Sequence, residues 1–356
     1  MAINLATNCA DSIASVFSAA SYLANRTAGF FDFTGVKGLR VYTPVTVPLC
    51  DYTREGANRY GAPAEMQDTV QELVMTQDKG FALTIDKGNN AEQMNTKAAG
   101  QMLNLQIAER VVPTVDKYAL SVFLRDAGRL STVTAEPTKA TILEEISKAS
   151  QALDDEMVPG EDRTLLVTSK IYSMIRLSPE FLGVESLGAK ALGKGAVGEL
   201  FGAEVVKLPG SYLPDGCYFV LWHKSSVLMP SKLRDAKIHA DPPGISGSLL
   251  EGRWLYDAFV LGARASGVCA LVLASLRQSA PTVSYTGGSL ALASGGASRI
   301  VYTVDGTDPR YSASALTYSA AVSTAGWKAG PYAVQAVAYA NDKFTSELAR
   351  QTITVS

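Results

Sequence analysis

Histidine is nearly absent from this chain: His223 and His239 are the only two in 356 residues. A histidine-based triad or a zinc centre would have to rest on one of them, and neither has a nucleophile or a ligand pattern beside it. Cysteine is scarce as well. Cys9, Cys50, Cys217 and Cys269 lie far apart and form no CxxC pair, which reads as free thiols rather than a disulfide framework or metal site. An excess of charge of one sign is also missing. Lys and Arg number 32 against 34 Asp and Glu, a formal net charge of −2, so the basic surplus needed for tight, sequence-independent nucleic-acid binding is not there. No apolar run approaches the ~20 residues of a membrane helix. The Ala- and Ser-rich opening, residues 1–31, lacks a basic leader and is interrupted by Asn8, Asp11 and Asn25, so it does not read as a signal peptide. A soluble chain with no membrane partner is expected.

What is present is a globular composition, 47% hydrophobic and 19% charged, too long for one small core. Residues 9–24 have a weakly amphipathic helical pattern. Residues 39–49 read as a strand with prolines at its edge. A polar stretch over 51–67 holds Arg54, Glu55, Arg59 and Gly61. A second extended run, 70–86, follows, divided at Gln77-Asp78-Lys79-Gly80. Two strands around a polar tip describe a projecting ribbon, which is marginal in water alone and is expected to rest on a neighbouring copy of the chain.

From 91 to 126, Met94, Ala98, Met102, Leu105, Val112, Val115, Ala119 and Val122 recur at helical spacing, a rod of roughly 54 Å with Pro113 expected to kink or break it. A second helix is expected over 141–155, opened by a capping box at Thr141 and Glu144. Strands are expected at 164–168, 204–208, 217–222, 254–261 and 268–273, with 183–198 and 232–247 as loops. After Arg277 the composition turns to Ser, Thr, Gly, Ala, Tyr and Val. Short strands are expected at 283–285, 290–293, 299–303, 316–318, 332–339 and 351–355, a β-sandwich pattern. The fold class expected is α+β.

No catalytic, cofactor-binding or metal-binding residue is nominated. Gly188 to Lys194 matches most of a phosphate-binding loop, but Gly195 stands where Ser or Thr must hold magnesium. Gly244-Ile245-Ser246-Gly247 misplaces the second glycine of a nucleophile elbow. Asp154, Asp155 and Glu156 are adjacent on a helix and do not share a face, which favours a solvated surface over paired catalytic carboxylates. Asp305, Gly306 and Asp308 carry turn signals, and these outweigh a calcium reading. Tyr302, Tyr311, Tyr318, Trp327 and Tyr332 read as packing aromatics ahead of sugar-stacking ones.

Several segments, in order, resemble the major capsid proteins of tailed bacteriophages, with the Hong Kong 97 type of fold. Residues 76–86, Thr-Gln-Asp-Lys-Gly-Phe-Ala-Leu-Thr-Ile-Asp, look like the end of that family's extended loop. Residues 108–116, Ala-Glu-Arg-Val-Val-Pro-Thr-Val-Asp, look like its spine helix. Residues 198–206 look like its axial strand pair, and His223 to Val227, Lys237 to His239 and Glu251 to Arg253 like later segments. The tail, through Tyr302-Thr303 and Asp305-Gly306-Thr307-Asp308-Pro309, resembles an immunoglobulin-like module found at the end of chitobiase-type glycosidases and on phage surface proteins.

The resemblance implies an N-terminal arm over 1–30, a capsid body over 31–276 and a surface module over 277–356. Within the body it implies an extended loop at about 45–85, a spine helix at about 91–126 and an axial domain at about 135–235. It implies hexamers and pentamers closing into an icosahedral shell around double-stranded DNA held without specific binding. It also implies a separate scaffold protein, a portal and decoration proteins, weak carbohydrate or cell-surface contact through the module, and a virion made in a bacterial cytoplasm. Arg54, Glu55, Arg59, Asp78 and Lys79 become candidate assembly contacts. Nothing fixes a partner for a Lys–Asn crosslink, and none is expected. The other readings are a cell-encoded nanocompartment shell and a carbohydrate-active enzyme with a β-sandwich accessory.

Overall fold

A computed structural model describes residues 21–31, 33, 38–63, 65–92, 98–178 and 198–355. Most of the helix expected at 9–24, the loop expected at 183–198 up to residue 197, and the phosphate-loop-like Gly188 to Lys194 lie outside the described residues. Within them, β1 (Gly38–Val45) and β2 (Gln67–Val74) form an antiparallel ribbon from Gly38 opposite Val74 to Val45 opposite Gln67. The next strand does not continue that ribbon. The break falls at Met75-Thr76, not at 77–80, and β3 (Gln77–Asp86) is continuous. Asp257 explains the position: its Oδ2 accepts from Thr76 N–H at 2.7 Å and from Thr76 Oγ1 at 2.9 Å, pinning the corner.

Of the helical stretch expected over 91–126, residues 93–97, with Met94, lie outside the described residues; the described run is segmented. After the short α1 (Lys87–Glu92), it comprises α2 (Ala99–Gln106), a π-helical turn at Ile107–Val111 and α3 (Val112–Arg125). Pro113 lies in the first turn of α3, where its missing N–H and clash with the preceding turn would disrupt a regular helix. The wider turn absorbs this: Val112 N–H bonds Ile107 O, and the Thr114 hydroxyl donates to Arg110 O at 2.6 Å. Residues 21–28 lie against the body. Buried Asp116 on α3 accepts from Ser21 Oγ at 2.7 Å and Tyr22 N–H at 2.8 Å, and Trp222 Nε1 donates to Arg26 O at 3.0 Å.

The elements that follow are β4 (Arg129–Val133), α4 (Ile142–Asp155), β5 (Arg163–Thr168), α5 (Ser169–Arg176), β6 (Glu199–Leu200), β7 (Ala203–Leu208) and β8 (Cys217–His223). After them come β9 (Val227–Leu228), β10 (Ser231–Ala240), β11 (Gly247–Tyr256), β12 (Phe259–Val260) and β13 (Val268–Leu273). A six-stranded mixed sheet runs β4-β13-β8-β5-β7-β6. Its central strands are apolar nearly throughout because both faces are covered. Leu166, Val220, Trp222, Ala270 and Val272 face α3 in one core. Leu165, Val167, Phe219, Leu221 and Leu271 alternate with them to meet α4 and α5 in the other. Each fully buried Leu or Phe contributes about 2–3 kcal/mol.

Three expectations need correction here. The loop expected at 232–247 is largely β10, which pairs antiparallel with β11, itself paired to β3. An edge strand has one unpaired side and needs no apolar alternation, so Lys232, Arg234, Asp235 and Lys237 masked it. The strand expected at 254–261 divides around buried Asp257. Thr141 does not cap α4 through its side chain; its Oγ1 instead accepts from Thr138 N–H at 2.9 Å. Asp154 is 62% exposed, on the surface as expected. It takes Nη2 of Arg163, whose side chain is 2% exposed, at 2.6 Å.

Beyond 277 lie β14 (Thr282–Thr286), β15 (Ser289–Ala293), β16 (Arg299–Thr303), β17 (Leu316–Tyr318), β18 (Val322–Ser323), β19 (Gly330–Tyr339) and β20 (Ala349–Val355). Sheets β14-β15-β18 and β17-β16-β19-β20 share a core of Leu290, Ile300, Tyr302, Val334, Ala336 and Ile353. Tyr302, Tyr318, Trp327 and Tyr332 pack in or against that core, the packing role expected of them. Only the short β18 was not anticipated.

Candidate assembly surfaces

The ribbon is the most exposed apolar feature of the described residues. Tyr42, Val45, Val47, Tyr52 and Met66 are exposed, Leu49 is 103% exposed and Tyr60 is 85% exposed. Scattered apolar residues on a surface are ordinary, but several on one element make it a candidate contact surface. The tip between β1 and β2 is ordered internally. Thr53 N–H bonds Arg59 O at 3.0 Å, and Gly61 N–H bonds Asn58 O at 2.9 Å. Cys50 Sγ meets Tyr60 O at 2.8 Å, and the Tyr52 and Tyr60 rings meet edge to face with centroids 5.0 Å apart.

Arg54, Glu55 and Arg59 sit together on this tip, all exposed, with Arg59 Nε on Gly56 O at 3.2 Å. Asp78 and Lys79 are elsewhere, on β3 in the sheet with β10 and β11. Asp78 already holds Arg253 in a two-pronged pair at 2.9 and 2.6 Å, and that guanidinium keeps its carboxyl below the ordinary range. The structure therefore brings three of the five candidate contacts together and places the other two on a separate sheet.

At the ribbon base, Gln71 donates from Nε2 to Val260 O at 2.8 Å and accepts from Gly262 N–H at 2.8 Å. Phe33, Leu73, Met75, Leu228 and Leu261 form a small buried cluster there. Asp257 is 3% exposed. Besides Thr76 it accepts from Tyr118 OH on α3 at 2.7 Å and from Ala258 N–H at 2.8 Å, joining ribbon corner, helix and sheet. Burial, followed by the Asp257 hydrogen bond, pushes the Tyr118 phenol up to about 12. Sequence reasoning missed Asp257, because a single carboxylate inside an apolar run has no pattern.

Asp305, Gly306 and Asp308 lie in the connection between β16 and β17. Asp305 Oδ1 accepts from Thr307 N–H at 3.0 Å, and its Oδ2 accepts from Ser314 Oγ at 2.6 Å. Gly306 has φ of 79°, the left-handed region glycine enters freely. Asp308 is paired with Arg310 at 2.7 Å. These contacts use both carboxylates in the turn itself. No group of three or more His, Cys, Asp or Glu able to hold a metal ion occurs among the described residues.

No protein-family model and no curated protein matches the sequence. Solved structures do match the fold. A chain of Mycobacterium phage Che8 aligns with a TM-score of 0.64 at 19% identity, over 76% of this chain and 98% of that one. A chain from the capsid of cyanophage P-SCSP1u aligns at 0.63 and 14%, over 76% and 93%. One from the mature capsid of bacteriophage PhiM1 aligns at 0.60 and 10%, over 78% and 93%. The fold is that of phage capsid chains. At these identities the likeness concerns the path of the backbone. These chains are covered almost end to end, while about a quarter of this chain has no counterpart in the Che8 alignment.

Proposed function

We propose that this chain is the major capsid protein of a tailed phage, a structural protein whose copies form hexamers and pentamers and close into an icosahedral head around double-stranded DNA. The observation that carries this reading is the near-complete coverage of capsid chains by a fold with a projecting ribbon and a long segmented helix. The ribbon adds physical support: a two-stranded hairpin is marginal alone, and this one presents Leu49, Tyr52 and Tyr60 outward. In this reading the tip, with Arg54, Glu55 and Arg59, lies on the next subunit, and Asp78 and Lys79 belong to the sheet near which a neighbour packs. The net charge of −2 suits a shell that holds DNA without gripping it.

The finer assignments belong to the same proposal. Residues 1–30 are an arm, 31–276 the Hong Kong 97-type body and 277–356 an immunoglobulin-like module, supported by its two facing antiparallel sheets around one core. The module faces outward, where weak carbohydrate or cell-surface contact is its external role. A separate scaffold, a portal and decoration proteins complete the particle, assembled in the host cytoplasm. Native mass and electron microscopy of the purified protein test the reading. Closed megadalton shells with capsomers are expected; a solitary 37.7 kDa globule under all assembly conditions would overturn it.

A further inference from the structure

The C-terminal unit is joined to the body by more than the chain at 277. Three consecutive carbonyls at the end of α3 each receive a side-chain donor from beyond that point. Thr345 Oγ1 donates to Arg125 O at 2.6 Å, Tyr311 OH to Asp126 O at 2.6 Å, and Arg310 Nη1 to Ala127 O at 2.5 Å. A helix end leaves its last carbonyls without intrahelical partners, and a cation there also meets the negative end of the helix dipole. Arg310 is itself held by Asp308 at 2.7 Å. Tyr311 and Phe344 pack against the core that α3 shares with the six-stranded sheet. Burial pushes the Tyr311 phenol upward, which keeps it a donor.

The same loop also reaches the ribbon. Ala313 N–H donates to Val70 O on β2 at 2.8 Å. This contact lies on the outer edge of β2, which has no strand beside it. The adjacent residue, Gln71, is held by Val260 and Gly262 of the body. Gly262 meets both partners: its N–H bonds Gln71, and a Cβ at 262 would lie 2.6 Å from Tyr311 Cβ. Ribbon, body and C-terminal unit therefore converge at one point.

We propose that the C-terminal unit is a built-in brace: its 308–313 loop locks the base of the ribbon to the end of α3 and sets the direction in which the ribbon leaves the body. A two-stranded ribbon has little stability of its own, so whatever restrains its base governs its motion. This role is directed inward and stands apart from any external partner. It also holds whether or not the chain builds a shell, because every contact lies within one subunit.

Hydrogen–deuterium exchange on the purified full chain tests it, comparing wild type with the double variant Tyr311→Phe/Thr345→Val in the same assembly state. Both changes remove a hydroxyl donor and keep the shape, so folding is preserved. Amides of residues 67–74 should exchange roughly tenfold faster in the variant, the scale of one to two lost hydrogen bonds, while those of β8 and β13 hold their protection. Unchanged exchange at 67–74, with any loosening confined to 308–345, would overturn the brace. A uniform acceleration that includes β8 and β13, with no excess at 67–74, would overturn it equally.

Discussion

Asp257 and Asp116 are buried carboxylates that tie separate elements together. Asp257 gathers four donors from three elements, Thr76 N–H and Oγ1, Tyr118 OH and Ala258 N–H. Asp257→Ala leaves buried donors without partners, and unfolding free energy should fall by about 3 kcal/mol, read from denaturant midpoints. Asp116 is raised above its ordinary value by burial, against the lowering effect of its bonds from Ser21 and Tyr22. A carboxylate raised on folding contributes stability that is full below its unfolded value of about 3.9 and is lost as pH climbs through the folded value. Asp116→Asn does not titrate. Its stability relative to wild type should therefore increase as pH rises above about 4; urea midpoints that keep a constant difference as pH rises from there would contradict the assignment.

At the scale of elements, the strands most visible in the residues were those buried on both faces. Val268–Leu273 of β13 matches its expected bounds, and β5 and β8 differ from theirs by one residue. An unbroken apolar run of strand length between turns has few other outcomes. β10 was invisible because an edge strand tolerates charge on either face. The part of the rod over 99–125 was legible as helical, but its π turn was not. Periodicity near 3.6 reports which face is buried and not which carbonyl each N–H selects. Gly128, between α3 and β4, illustrates a constraint without a local signal. A Cβ there would lie 2.0 Å from Ala265 O, backbone that cannot swing away. Gly128→Ala should cost about 2 kcal/mol, seen as a lowered midpoint in thermal melts followed by circular dichroism.

For the whole molecule, the candidate surface was only half legible. Arg54, Glu55 and Arg59 were readable as a polar tip between strands, and they do lie together. Asp78 and Lys79 were near them in sequence but belong to another sheet. Leu49, Tyr52 and Tyr60 carry no signal of their exposure in the sequence, since nothing in a one-dimensional pattern says which apolar side chain stays uncovered. A covalently linked shell is not expected. Lys87 is engaged by Asp241, and Asn89 follows it on α1 with its N–H bonded to Asp86 at 3.0 Å. Boiled particles should run as a single band near 37.7 kDa on a denaturing gel, and a ladder of multimers would contradict this.

The residues by themselves determined the α+β class, the apolar strands of the central sheet, the long helical stretch and the all-β tail. Each of these rests on short-range regularities: period, turn chemistry and composition. Tertiary structure alone decided that β3 leaves the ribbon for β11, that Asp257 ties the corner, and that the tail is clamped to the end of α3. The clamp contacts join residues 183, 185 and 220 positions apart. At such separations no period survives, and only the packed chain chooses which donor meets which carbonyl.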